Sequence, residues 1–273
     1  MSGSRALAGL RGLRATRGVP GGGALRIVER NVVVYRRGWL TLLSGFVEPV
    51  FYLFSIGVGV GALVGPVPGP AGQPIPYAAF VAPAMLASSA MNGAVYDSTF
   101  NIFHKLRYAK VYDAVLASPL SPRDVAVGEV TWALIRGGLY AAAFLAIMTA
   151  LGLVSSWWAL LVVPVAVLIG FAFAGMGIAA TTFMRSWQDF ELVNLALLPM
   201  FLFSATFYPL DVYPEPARTL TQLSPLYHAA ALVRALTTGA VVPADLVHVA
   251  VLVALGLAGV ALAGRRLAGL LLR

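Results

Sequence analysis

The 273-residue sequence contains no cysteine, only two lysines and few charged residues of any kind. The absence of cysteine excludes disulfides, a thiolate nucleophile and a zinc–thiolate site. Charged residues make up 11% of the chain and apolar residues 59%, whereas soluble domains contain about 25% and about 45–50%. These proportions exclude both a water-soluble globular domain and a disordered chain. They predict an integral membrane protein.

The sequence contains several long apolar windows. A helix needs about 20 apolar residues to cross a bilayer core about 30 Å thick. We therefore predict an all-α integral membrane fold whose residues 39–273 form one six-span transmembrane domain. The six transmembrane helices are placed at about residues 39–63, 77–103, 125–154, 158–183, 192–207 and 246–263.

The distribution of basic residues predicts the orientation of these spans, because Lys and Arg near span ends stay in the cytoplasm. Only Arg218 and Arg234 lie on the opposite side, and Arg136 lies within the third span. Both termini are therefore predicted to be cytoplasmic. The residues assigned to the cytoplasmic side are Arg5, Arg11, Arg14, Arg17, Arg26, Arg30, Arg36, Arg37, Lys105, Arg107, Lys110, Arg123, Arg185, Arg265, Arg266 and Arg273.

Residues 1–38 are predicted to form a basic cytoplasmic tail followed by an amphipathic helix. The segment has no apolar core of the kind found in a cleavable signal peptide. Leu25, Val28, Val32 and Tyr35 recur at helical spacing, which is typical of a helix lying in the membrane interface. A solvated basic flank and an organellar transit peptide are the alternatives.

Two segments differ from ordinary spans. Residues 208–245 are broken by Pro209, Pro214, Pro216 and Pro225. They predict two short re-entrant outer helices before the last span, the second capped by Gly239; an ordinary extracellular loop is the alternative. On the cytoplasmic side, Tyr112, Val115 and Leu116 form one face of a short helix at about residues 108–117. Such a projecting helix needs a docking partner, unless it is a simple hairpin loop.

Charged side chains within the membrane cost about 2.5–3.5 kcal/mol each, so each requires an explanation. These intramembrane polar residues are Glu48, Asp97, Glu129 and Arg136. Glu48 serves either a transport path or a structural hydrogen bond, and Arg136 and Glu129 are expected to pair with other helices, through Asp97 or Glu48. A second set could line a path or an outer gate: Phe51, Tyr52, Phe201, Phe207, Tyr208, Pro225 and His228. Lipid-facing or interfacial placement is the alternative for the aromatic residues, and a structural role is the alternative for His228. The three histidines are scattered, which predicts no metal site.

Three stretches resemble the permease subunits of type-two ATP-binding-cassette (ABC) exporters, especially the nodulation-factor and daunorubicin-type branch. They are VEPVFYLFSIGVGVG (47–61), YDAVLASPLSPRDVAVGEVTWALIRG (112–137) and FYPLDVYPEPARTLTQLSPLYHAAALVRAL (207–236). The resemblance implies a cytoplasmic coupling helix at about residues 108–120 that docks on an ATPase. The implied coupling residues are Tyr108, Tyr112, Asp113, Val115, Leu116, Ser118, Pro119, Leu120 and Arg123.

The resemblance also implies the partners and the activity. Two ABC ATPase subunits would bind ATP and magnesium, since neither Lys105 nor Lys110 lies in the glycine-rich loop that such an ATPase needs. A second permease, identical or paralogous, would complete the path in a bacterial plasma membrane, among lipids and without nucleic acid. The expected cargo is an amphiphilic drug, lipid or lipid-linked saccharide, and this chain is expected to be neither an enzyme nor a cofactor carrier.

Two other classes of function remain open from the residues. A proton-coupled secondary carrier would use Glu48 and Asp97, although we find no inverted repeat of the kind common in such carriers. A membrane-embedded lipid-modifying enzyme would need a nucleophile or a metal site, and the sequence shows no candidate for either.

Overall fold

The structure is a computed structural model that describes residues 22–37, 47, 49–107, 122–184 and 186–271. The helices are α1 (Gly22–Arg37), α2 (Pro49–Val64, π-helical over Leu53–Val60), α3 (Tyr77–Tyr96), α4 (Ile102–Arg107), α5 (Pro122–Ala150), α6 (Val162–Thr181), α7 (Phe190–Leu202), α8 (Ala217–Leu223), α9 (Pro225–Thr238) and α10 (Leu246–Leu271). A hairpin of two short strands, β1 (Val67–Pro68) and β2 (Pro74–Ile75), follows α2, with Val67 opposite Ile75. Short 3₁₀ turns precede α6, α7 and α10.

Four helical segments are long and apolar enough to cross a membrane: Tyr77–His104, Val127–Ala150, Trp157–Thr181 and Pro243–Arg266. They correspond to the second, third, fourth and sixth predicted spans, and they establish an all-helical membrane fold. The first and fifth predicted spans are not confirmed, because the described α2 and α7 have only 16 and 13 residues. At 1.5 Å per residue, α7 is about 20 Å long, which is short of the bilayer core.

The fifth predicted span ends earlier than expected. The sequence predicts a helix to residue 207, but α7 stops at Leu202, three residues after Pro199. Phe203 leaves the helical conformation, and Ala205 has a φ of 53°, in the left-handed region that breaks a helix. Apolar composition alone therefore overestimated this helix, since residues 203–207 form an irregular segment.

Helix α3 lies at the centre of the fold and packs against α2, α5, α6 and α9. The closest helix pair is α6 with α10, which approach each other through glycines. A Cβ atom at Gly259 would lie 2.4 Å from the carbonyl carbon of Gly175, and one at Gly175 would lie 2.7 Å from the carbonyl oxygen of Gly256. Small residues at such contacts let helix backbones meet within a membrane.

Helix α1 packs along the first half of α5. A Cβ atom at Gly128 would lie 2.7 Å from the carbonyl oxygen of Ala24 and 2.5 Å from Cβ of Ile27, so glycine is required for this approach. Ala24, Ile27 and Asn31 are buried against α5. Leu25 and Val32, two members of the apolar face predicted to lie in the membrane interface, point away from α5 and are exposed; their contact with lipid stays a prediction.

A π-helical turn, Asp97–Asn101, interrupts the helix between α3 and α4. The turn packs on α6, where a Cβ atom at Gly177 would lie 1.9 Å from Ser98 Oγ. Thr181 Oγ1 donates a 3.1 Å hydrogen bond to the Ser98 carbonyl oxygen. Such turns widen the helix and redirect its side chains, and they occur often at functional sites.

Candidate functional site

The candidate site is a polar network that joins α1, the π turn and α5. Its first half surrounds the carboxylate of Glu129, which is only 7% exposed. Arg30 Nη2 donates to Glu129 Oε1 at 3.1 Å, and the buried Asn31 donates through Nδ2 to Glu129 Oε2 at 3.1 Å. Arg30 Nη2 also lies 3.0 Å from Asn31 Oδ1. One carboxylate of α5 thus receives hydrogen bonds from two consecutive residues of α1.

The second half of the network is built around Arg136. Its Nη2 donates to Asp97 Oδ2, and its Nη1 donates to the Tyr35 hydroxyl oxygen at 2.9 Å. The side chains of Asp97 and Arg136 are 12% and 13% exposed. Asn101 Nδ2 donates to Asp97 Oδ1 at 2.6 Å, a hydrogen bond between the last and the first residue of the π turn. Arg136 therefore connects α5 to both α1 and the end of the second span.

Aromatic rings join the two halves. The rings of Tyr35 and Trp132 lie 5.3 Å apart, and the Arg136 guanidinium lies 5.3 Å from the Tyr35 ring centroid. A cavity of about 20 Å³ is lined by Tyr35, Asp97, Glu129 and Trp132, which is room for one water molecule. Within the described part of the chain, Trp132 Nε1 has no hydrogen-bond partner.

The geometry is suited to holding helices together. Both described carboxylates of the network face a guanidinium, so the buried charges occur in opposite pairs. In the chain, α4 ends at Arg107 and α5 begins at Pro122. The network therefore fastens both flanks of the segment 108–121 to each other and to α1.

Part of this network follows from the sequence. Arg136 was expected to meet Asp97 or Glu48 on another helix, and the structure pairs it with Asp97. The partners of Glu129 were missed: Arg30 is 99 positions away and was assigned only to the positive-inside flank. The one available signal is the polar Asn31 beside it, within the otherwise apolar half of α1.

Most predicted coupling residues lie outside the described residues, as does Glu48. This applies to Tyr108, Tyr112, Asp113, Val115, Leu116, Ser118, Pro119 and Leu120. Arg123 lies in the first turn of α5, and its side chain is not among the described ones. Their proposed role remains a prediction.

Four of the aromatic residues suggested for a path or outer gate are brought together. The ring centroids of Tyr52 and Phe201 are 6.2 Å apart, those of Phe201 and Phe207 5.3 Å, and those of Phe207 and Tyr208 6.3 Å. This row connects α2, α7 and the segment that follows α7. Phe51 has no part in these ring contacts and is 70% exposed.

The two remaining gate candidates lie in α9. Pro225 is its first residue, preceded by Ser224 at the N-cap. His228 Nδ1 lies 2.7 Å from His248 Nδ1 of α10, a contact that the spacing of the histidines did not predict. Burial lowers the pKa of His228 below its usual value, and the neighbouring His248 lowers it further. Among the described residues, no group of three or more potential ligands is arranged to hold a metal ion.

Comparison with known proteins gives a consistent result. Residues 24–237 match the family model described as ABC-2 type transporter. Nodulation protein J of Rhizobium leguminosarum bv. viciae is 31% identical over 239 residues, covering 86% of this chain and 90% of the relative. Nodulation protein J of Sinorhizobium fredii is 31% identical, covering 77% and 79%. The Rhizobium meliloti protein of the same name is 28% identical, covering 82% and 83%.

Proposed function

The chain belongs to the ABC-2 type transporter family, and on this basis we propose that it is the permease subunit of an ATP-driven exporter. Separate ATPase subunits bind the predicted cytoplasmic segment 108–121 and supply the energy. Two such permeases and two ATPases form the complex, and an amphiphilic compound moves outward between the permeases. The relatives named nodulation protein J support the exporter assignment.

The observation that carries the proposal is the network around Glu129 and Arg136. A docking segment transmits movement only if its two flanks move together with the membrane helices. Here the π turn before α4 is bonded to α5 through Asp97 and Arg136, and α5 is bonded to α1 through Glu129 and Arg30. A displacement of residues 108–121 is thus passed to α1, α3 and α5 as one unit.

The same contacts disfavour the proton-coupled carrier. That hypothesis needs carboxylates open to exchange protons with water. Asp97 is engaged with Arg136 and Asn101, and Glu129 with Arg30 and Asn31. These carboxylates serve as structural partners, which leaves the carrier hypothesis resting on Glu48 alone.

The test is to purify the tagged permease from its native membranes with the ATPase subunits bound to it. We expect Leu116→Arg, in the predicted docking segment, to reduce the amount of bound ATPase and the rate of ATP hydrolysis at least tenfold. Val212→Arg is the matched control, because Val212 is exposed on the predicted outer side. Unchanged ATPase binding and hydrolysis in Leu116→Arg would contradict the proposal.

A further inference from the structure

Arg234 is an unusual residue for the place where it lies. It belongs to α9, in the predicted outer part of the molecule, and is only 6% exposed. Among the described residues, no carboxylate lies within ion-pairing distance of its guanidinium. A buried charge without a counter-charge is costly, and in a membrane protein such a residue is a candidate for function.

Three contacts compensate for the burial of Arg234. Its Nε donates to the Phe80 carbonyl oxygen at 3.1 Å, and its Nη2 donates to the Ala205 carbonyl oxygen at 2.9 Å. Its Cζ lies 3.9 Å from the centroid of the Phe80 ring, a cation–π contact. One side chain of α9 thus holds the start of α3 and the segment that follows α7.

The attachment to Ala205 matters because it lies at the outer end of α7, a helix with no fully buried residue. The rest of α7 is held by half-buried side chains such as Val193, by the Tyr96–Asn194 hydrogen bond and by ring contacts of Phe190 and Phe201. Its outer end is fixed by the Arg234–Ala205 bond and by Ser204 Oγ, which shares a 2.5 Å hydrogen bond with Ser224 Oγ. Ala205 has a φ of 53°, a conformation that alanine adopts only when its surroundings hold it there.

Phe80 and Ala205 hold the Arg234 guanidinium by different numbers of contacts. Phe80 offers both a carbonyl oxygen and a ring, whereas Ala205 offers a carbonyl oxygen alone. When the contact breaks, the guanidinium therefore stays on α3 and releases Ala205. Release would also let Ala205 return to an ordinary backbone conformation.

We propose that Arg234 is a positioning residue that holds the outer end of α7 closed. Opening of the outer end breaks the bond between Arg234 Nη2 and the Ala205 carbonyl, while Phe80 retains the guanidinium. The inference rests on the proposed function, because an exporter must open outward to release its cargo. It names the residue and the hydrogen bond that control the outward opening.

The cysteine-free sequence makes this proposal directly testable. Thr206 is 0% exposed, and its hydroxyl has no hydrogen-bond partner among the described residues, so Thr206→Cys breaks no bond. The permease alone, in nanodiscs, is treated with a polar maleimide, and the labelling rate reports opening. We expect Arg234→Met to raise this rate at least about tenfold, since it removes a hydrogen bond from a charged donor.

Two comparisons distinguish the loss of the Arg234–Ala205 bond from a general loss of packing in the protein. Ala172→Cys is a second reporter, because Ala172 is fully buried in α6, and its labelling should stay unchanged in Arg234→Met. Ser224→Ala is the matched control substitution, which removes the neighbouring Ser204–Ser224 bond and leaves Arg234 intact. We expect it to raise Thr206→Cys labelling by about fivefold or less, as for a neutral hydrogen bond, and so by less than Arg234→Met does.

Three results would overturn the proposal: no change in Thr206→Cys labelling in Arg234→Met, equal increases at both reporters, or an equal increase in Ser224→Ala. If Arg234→Met is not recovered in the membrane, Arg234→Lys replaces it, because lysine keeps the charge but lacks the fork of N–H groups that reaches both carbonyl oxygens. An increase of about threefold then supports the proposal, and no increase overturns it. The assay needs no ATPase, so its failure is distinguishable from failure of the proposed coupling.

Discussion

Replacement of Arg30 by methionine tests whether the network fastens α1 to α5. Removing one partner of a buried ion pair costs about 3–5 kcal/mol, because the other charge loses its counter-charge. Glu129 is 7% exposed, but Arg30 is 33% exposed and partly solvated, so the cost must be reduced. We expect Arg30→Met to weaken the α1–α5 contact by about 1–3 kcal/mol.

The contact can be measured by hydrogen exchange of the α1 backbone amides, followed by mass spectrometry. If α1 opens locally, a loss of 1–3 kcal/mol raises the exchange rates about 5- to 150-fold. Glu129→Gln should have a smaller effect, because it leaves Arg30 able to reach water and retains an acceptor for Asn31. The double variant should resemble Glu129→Gln, since no buried carboxylate then remains.

Arg36→Met is the matched control for this experiment. Arg36 lies on the same helix and is exposed, so its loss should leave the exchange rates within about twofold. Equal exchange rates in Arg30→Met and Arg36→Met, or a larger effect of Glu129→Gln than of Arg30→Met, would contradict this expectation. Either result would show that other contacts hold α1, such as the packing at Ala24 and Ile27 and the Tyr35–Arg136 hydrogen bond.

Two further predictions concern stability. Gly259→Ala places a Cβ atom 2.4 Å from the carbonyl carbon of Gly175, so it should destabilise the purified protein by about 1–3 kcal/mol in thermal unfolding. Gly264→Ala, with no atom within 4 Å of its Cβ, should not; equal effects would contradict the close α6–α10 contact. Because burial lowers the folded-state pKa of His228, its contribution to stability is complete above the ordinary value of 6.5 and is lost as the pH falls below it. The drop in Tm between pH 7.5 and 5.5 should therefore be larger in the parent than in His228→Asn, and equal drops would contradict the burial of His228 beside His248.

The sequence was informative where one physical property dominates. Apolar windows of sufficient length located the four long helical segments, because the bilayer sets their length. The cost of an intramembrane charge required a partner for Arg136, and Asp97 was one of two candidates in reach. The end of α7 was missed, since residues 203–207 contain no glycine or proline that would indicate the left-handed backbone at Ala205.

Other contacts depend on how distant segments meet, which composition does not reveal. Arg30 was one of eight arginines before the first span, and only the close approach at Gly128 brings it to Glu129. Arg234 was counted only as a positive charge on the outer side. Its role emerged from the two carbonyl groups that the folded chain places around it.

Cross-linking from the predicted docking segment shows whether an ATPase binds there. Leu116→Cys introduces a single thiol into the cysteine-free chain, and a cleavable bifunctional reagent applied to native membranes joins it to the protein that is bound there. We expect a cross-linked partner whose sequence carries a glycine-rich phosphate loop ending in Lys-Ser or Lys-Thr. The yield of this cross-linked product should fall in Asp113→Arg. A cysteine that reacts only with reagents added from outside the cell, or that joins no nucleotide-binding protein, would refute the proposed coupling to an ATPase.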